Sequence, residues 1–113
     1  MKVVYVAGPY RGETESDVVR NIRAAEAVAI RIWKMGHAAI CPHKNTALFG
    51  GLCPDDVWLK GDLEILSRCD ELILCVGWEK SKGTADEIQL AKSLGIPVFY
   101  TLEAWEKARG CSG

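Results

Sequence analysis

Short apolar runs alternate along this chain with longer stretches whose apolar positions recur every three to four residues. Lys2–Ala7, Ala38–Cys41, Glu71–Val76 and Ile96–Tyr100 are the short runs, and they read as buried strands. Between the first two, about Ser16 to Met35, Val18, Ile22, Ala25, Ala29 and Ile32 stand at helical spacing, and Gly36 follows as a C-terminal cap does. Pro54 suits the first turn of a helix reaching about Arg68. Thr84–Leu94, capped by Gly95, and about Leu102–Arg109 are the remaining helices. The stretch 42–53 reads as a Gly-containing loop, long enough in a compact domain to suggest a function. Gly110–Gly113 is expected to fray.

Strands that alternate with helices predict parallel pairing and right-handed crossovers. The expected fold class is α/β, a three-layer α/β/α sandwich around a flavodoxin- or Rossmann-like sheet of four to five strands. At 113 residues the chain makes one domain, 1–113, with a single core. A net charge of −1 argues against a nucleic-acid polymer or a membrane surface as the main partner, while leaving room for a local basic pocket. The five cysteines are odd in number and form no C-x-x-C pair, so no metal site is expected from them. Met1 leads straight into a strand, and no apolar run approaches the roughly 20 residues of a membrane helix. Together these features predict a reduced, cytoplasmic domain.

Parallel strands put their C-terminal ends on one edge, where open α/β sheets bind ligands. Three polar features are expected to meet there. In Gly8-Pro9-Tyr10-Arg11-Gly12, Gly8 and Gly12 permit close backbone approach and Arg11 offers a fork for phosphate. The loop lacks both the G-x-G-x-x-G spacing and the Walker ending, so no dinucleotide or P-loop cofactor motif is present. Ser81-Lys82-Gly83-Thr84 opens a helix, and Ser81, Gly83 and Thr84 there make an anion seat with free amides and the helix dipole. The third feature is a pair of carboxylates on apolar helix faces. Glu87 falls among Ile88, Ala91 and Leu94, and Asp62 among Trp58, Ile65, Leu66 and Cys69. A carboxylate in such a stripe costs desolvation energy unless something uses or satisfies it. Two readings of Glu87 stay open, because Thr84-Ala85-Asp86-Glu87 also fits a capping box that would return its carboxylate to the Thr84 amide. Tyr5 in the first strand reaches the same edge or is a core tyrosine; His43 and Asn45 are ligand contacts or structural loop residues.

These residues resemble the nucleoside 2-deoxyribosyltransferase superfamily. Its pattern is a strand Tyr followed by a Gly-containing turn, an Asp opening an Asp-Leu-x-x-Ile/Leu-x-x-Ala/Cys-Asp stretch, and G-x-x-x-E at a helix start. Here these stand as Tyr5-Val6-Ala7-Gly8, Asp62 to Asp70, and Gly83 to Glu87, in order from Val3 to about Tyr100. The resemblance implies that Glu87 is the nucleophile at C1′ of a (deoxy)ribosyl group, oriented by Tyr5 and assisted by Asp62. Members acting on unphosphorylated nucleosides carry an acidic residue six positions before the nucleophile, and here that position is Ser81. A serine there resembles the 5′-monophosphate N-hydrolase branch, as does Arg11-Gly12, although Pro9 replaces that branch's usual serine.

The expected function is therefore an N-glycosidase that splits a (deoxy)nucleoside 5′-monophosphate with retention at C1′. The alternatives are a (deoxy)ribosyltransferase that exchanges bases and a non-catalytic nucleotide-binding or sensing module. No cofactor and no metal are implied. The implied partners are a small nucleoside or nucleotide and further copies of the chain, as a homodimer or higher homo-oligomer.

Overall fold

The computed structural model describes residues 1–45 and 51–109. Its elements run β1 (Val3–Ala7), α1 (Glu15–Lys34), β2 (Ala38–Ile40), α2 (Pro42–Asn45), α3 (Asp55–Ser67), β3 (Glu71–Leu74), α4 (Lys82–Ser93), β4 (Val98–Phe99) and α5 (Leu102–Ala108). The four strands form one sheet in the order β2-β1-β3-β4. Every pairing is parallel, with Tyr5 opposite Ile40 on one side and Leu72 on the other. The α/β sandwich expected from the sequence is thus present with four strands.

Side-chain alternation along the two central strands builds two half-cores. Val4 and Val6 of β1, with Ile73 of β3 and Cys75 just past it, pack against Ala25, Ala29 and Ile32 of α1 and Trp105 of α5. Tyr5 and Ala7, with Leu72 and Leu74, face the other way onto Leu66 of α3 and onto Ile88 and Ala91 of α4. The helices therefore change face where the chain, having moved from β1 to β2, returns across the sheet to β3. A fixed crossover hand requires that switch. It leaves a crevice between the C-terminal ends of β1 and β3, since the segments leaving them diverge to opposite faces.

Three details differ from the sequence expectation. The 42–53 stretch opens with the four-residue helix α2 instead of a loop, and residues 46–50 and the terminus 110–113, expected to fray, lie outside the described residues. The strand expected over Ile96–Tyr100 shrinks to Val98–Phe99, because only Leu72 and Ile73 pair with it. Helix α4 begins at Lys82 with Ser81 as its N-cap, whose hydroxyl accepts from the Thr84 amide at 3.2 Å. Thr84 is thus inside the first turn, and of the two readings of Glu87 the capping box with Thr84 does not form. A full capping box exists elsewhere: Thr14 and Asp17 exchange hydrogen bonds of 3.1 Å at the start of α1. Among the described residues no helix is long and apolar enough to cross a membrane.

Gly8 sets the spacing of the crevice floor. A Cβ added there would lie 2.7 Å from Cys75 Cβ, closer than real Cβ atoms approach. Gly8→Ala therefore forces the ends of β1 and β3 apart. The expected loss is about 1–3 kcal/mol, typical of overpacking a tight core site. A urea unfolding midpoint unchanged from the parent chain would contradict that packing argument.

Candidate active site

The crevice edge gathers side chains from β1, α3 and α4. Tyr5 is fully buried, on the strand face that α3 and α4 cover, and its hydroxyl donates a short hydrogen bond to Glu87 Oε2. Glu87 is half-buried on α4, one turn after Thr84 and beside Ile88. It has no role in capping; its partner is the tyrosine. Burial pushes the Glu87 carboxyl up to about 7, with the neighbouring Asp62 charge adding to the rise and the Tyr5 hydrogen bond opposing it. Burial likewise pushes half-buried Asp62, on α3, up to about 6. The Tyr5 hydroxyl is driven far up, first by burial and then by Glu87, so it remains a donor throughout the ordinary pH range.

Both carboxyls are raised toward neutrality by burial, and the Asp62 charge adds to the rise at Glu87. Near neutrality the pair passes through a state holding one proton. The Tyr5 hydroxyl stabilises ionised Glu87, yet with Glu87 at about 7 and Asp62 at about 6 the larger share of that proton rests on Glu87, and the arrangement with the proton on Asp62 and the charge on Glu87 is the minor form. That form sets an ionised carboxylate beside a protonated carboxyl.

Three features stand at the start of α4, where the sequence led us to expect an anion seat. Ser81 Oγ accepts from Thr84 N and keeps its own proton to donate. Gly83 faces α3, where an added Cβ would make only ordinary contact with Leu59 at 3.7 Å. Thr84 is 1% exposed, and its Oγ1 is buried with no hydrogen-bond partner. A buried hydroxyl left without a partner costs about 1–3 kcal/mol. An incoming acceptor at this turn relieves that cost.

The β1–α1 loop is held from both sides. His43 Nε2–H donates to Pro9 O at 2.8 Å, and the ring meets Tyr10 edge-on with centroids 5.6 Å apart. Burial lowers the His43 pKa, so the ring is neutral at physiological pH. The structure therefore gives His43 a scaffold contact beneath the loop. Gly12 owes its lack of a side chain to the Thr14–Asp17 cap, since an added Cβ would collide with Asp17 Cβ at 2.2 Å. Arg11 is exposed and forms an ion pair with Asp55 in the first turn of α3. Asn45 stands apart from this group. It lines a groove on the β2 edge with Glu26, Ile30, Trp33 and Lys44.

Two participants escaped the sequence reading. Asn21 of α1 donates from Nδ2 to Tyr10 O at 3.0 Å and to Arg11 O at 3.3 Å, fixing the loop backbone. Its signal was available, because Asn21 lies in the Val18–Ala25 stripe of α1, a polar residue where an apolar one is expected. Asp55 carried no such signal, being one of two acidic residues in an ordinary first turn.

Comparison with known proteins bears on this arrangement. No curated protein matches the chain in sequence. Among solved structures, a 2-deoxyribosyltransferase from the psychrotolerant bacterium Bacillus psychrosaccharolyticus is similar, with 27% identity and a TM-score of 0.62. The match covers 85% of this chain and 69% of that one. The resemblance to the nucleoside 2-deoxyribosyltransferase superfamily thus extends from ordered motifs to the fold. A family model described as a domain of unknown function, DUF7768, matches residues 2–101, and the chain belongs to that family.

Proposed function

We propose that this protein cleaves the bond between base and sugar in a (deoxy)nucleoside 5′-monophosphate. Glu87 attacks C1′, and Asp62 gives its proton to the departing base. Water then resolves the glycosyl-enzyme ester, so two displacements retain the configuration at C1′. Tyr5 orients Glu87 throughout. Ser81, Gly83 and Thr84 at the start of α4, with Arg11 across the crevice, hold the 5′-phosphate. His43, Gly8 and Gly12 contribute by fixing the loop that carries Arg11.

The observation that carries the reading is the hydrogen bond from buried Tyr5 to a carboxyl whose pKa is raised to about 7, with a second raised carboxyl beside it. Likeness to an enzyme that transfers 2-deoxyribosyl groups supports the same chemistry at C1′. It also favours a second reading, in which an incoming base replaces water. Ser81 weighs against that alternative, since no carboxylate stands at that position to receive a free 5′-hydroxyl.

The test is to supply ribo- and deoxyribonucleosides and their 5′-monophosphates and to measure free base, with and without an acceptor base. Release from monophosphates without acceptor is the expected result; exchange that needs an acceptor supports the transferase, and binding without release excludes both. Glu87→Gln is expected to lower turnover at least about a thousandfold, as loss of a nucleophile does. Retention of full activity by that variant would rule out the mechanism.

The pH profile has a definite sign. Ionised Glu87 is gained as pH rises, and protonated Asp62 is lost, so kcat/KM should be bell-shaped with its maximum near pH 6–7. Tyr5→Phe removes the hydrogen bond that lowers the Glu87 pKa and leaves Asp62 at about 6; because the base then titrates still further above the acid, the alkaline limb should move to higher pH and the maximum of kcat/KM should fall. An alkaline limb that stays in place would show that Tyr5 does not act on Glu87.

The same raised pKa bears on stability. Between the ordinary carboxyl value of 4.5 and about 7, the folded chain holds a proton that the unfolded chain releases. Stability from Glu87 is therefore present below pH 4.5 and lost as pH rises through about 7. Glu87→Gln should flatten the fall in Tm across that window, and an unchanged slope would contradict the raised pKa.

A further inference from the structure

We propose that Asp55 is an internal competitor for the substrate's phosphate, occupying Arg11 until a phosphate displaces it and so setting how tightly the phosphate end is held. The inference rests on the reading above in which Arg11 contacts the 5′-phosphate. Arg11 and Asp55 form an ion pair that bridges the β1–α1 loop and the first turn of α3. Asp55 and Asp62 are seven residues apart on α3, close to two full turns. They therefore share a face, about 10 Å apart along the axis. The pair thus stands at the other end of the crevice from the carboxyls that face C1′, where the phosphate end of a nucleotide lies.

The bridge opens without moving the backbone. His43 holds Pro9 O, Asn21 holds Tyr10 O and Arg11 O, and Gly12 is wedged against Asp17. Only the Arg11 side chain needs to swing. On the opposite side, Asp55 loses little when released, because it sits in the first turn of a helix whose N-cap, Pro54, makes no side-chain cap bond. The helix dipole still favours its charge. Both side chains are well exposed, at 73% and 64%, and water screens the pair. A dianionic phosphate offers the guanidinium more charge and an equally good fork than a carboxylate does. A free 5′-hydroxyl offers neither. Asp55 thus raises the threshold for a ligand that must engage Arg11, is displaced by a phosphate, and leaves a neutral sugar unaffected.

The test is calorimetric titration of the parent chain, Asp55→Asn, Arg11→Gln and the double variant with ribose 5-phosphate and with ribose, each preceded by a thermal melt to establish folding. Asp55→Asn is expected to tighten ribose 5-phosphate two- to fivefold, the range open to an exposed ion pair. Ribose binding should not change, and the gain should vanish in the Arg11→Gln background. Binding that depends on Arg11 but is unchanged or weakened by Asp55→Asn overturns this inference and leaves the phosphate reading standing. A gain that persists without Arg11 also overturns it, because the effect is then simple repulsion of the ligand by Asp55. Equal affinity of the parent chain and Arg11→Gln, or no binding to either, overturns the phosphate role of Arg11 and this inference with it.

Discussion

The hydrogen bond from Tyr5 to Glu87 is the contact on which the rest of the site depends. It joins β1, one of the two central strands of the sheet, to the helix that opens beside the crevice. Its existence follows from a period of two. Val4 and Val6 turn toward α1 and α5, so Tyr5 must turn toward α3 and α4. A one-residue slip of β1 would move the phenol to the wrong face and leave Glu87 in the α4 stripe without a partner. The same burial that locks Tyr5 also dehydrates Glu87 and pushes its carboxyl up to about 7. Positioning and electrostatics thus come from one packing decision.

The crevice arises from topology and is furnished by loops. The return of the chain across β1 to reach β3 puts α1 and α3 on opposite faces and separates the segments that leave the two strands. Gly8 lets those strand ends approach closely, against Cys75. His43 and Asn21 then pin the loop from α2 and α1, and the Thr14–Asp17 capping box sets where α1 begins. The side chain left at the mouth is the exposed Arg11, paired with Asp55. A buried neutral histidine is well suited to such support, because it satisfies a backbone carbonyl without bringing charge beside the carboxyl pair.

Much of this was legible in the sequence where a residue violated its surroundings. Glu87 and Asp62 stood out as charges in apolar stripes, and the structure brings both to the Tyr5 edge. The strands and long helices were readable because a core imposes its period on the side chains that fill it. The boundary of α4 was not, since Ser81 and Thr84 are both good caps and only the backbone shows which one accepts the amide. His43 and Asn45 looked alike as polar loop residues; a short helix, α2, sends one under the β1 loop and the other to the β2 edge. Asp55 was invisible for a different reason. Its role depends on a pairing across 44 residues, and no local pattern encodes that.

The claim that Glu87 forms a covalent glycosyl ester is tested most directly by the stereochemistry of solvolysis. With a nucleoside 5′-monophosphate as donor and methanol as acceptor, proton NMR gives the anomeric configuration of the methyl glycoside before any secondary reaction. Two displacements at C1′ predict a product with the donor's configuration retained. An inverted product would mean that methanol attacks C1′ directly, and Glu87 would then be a base or an electrostatic partner instead of the nucleophile.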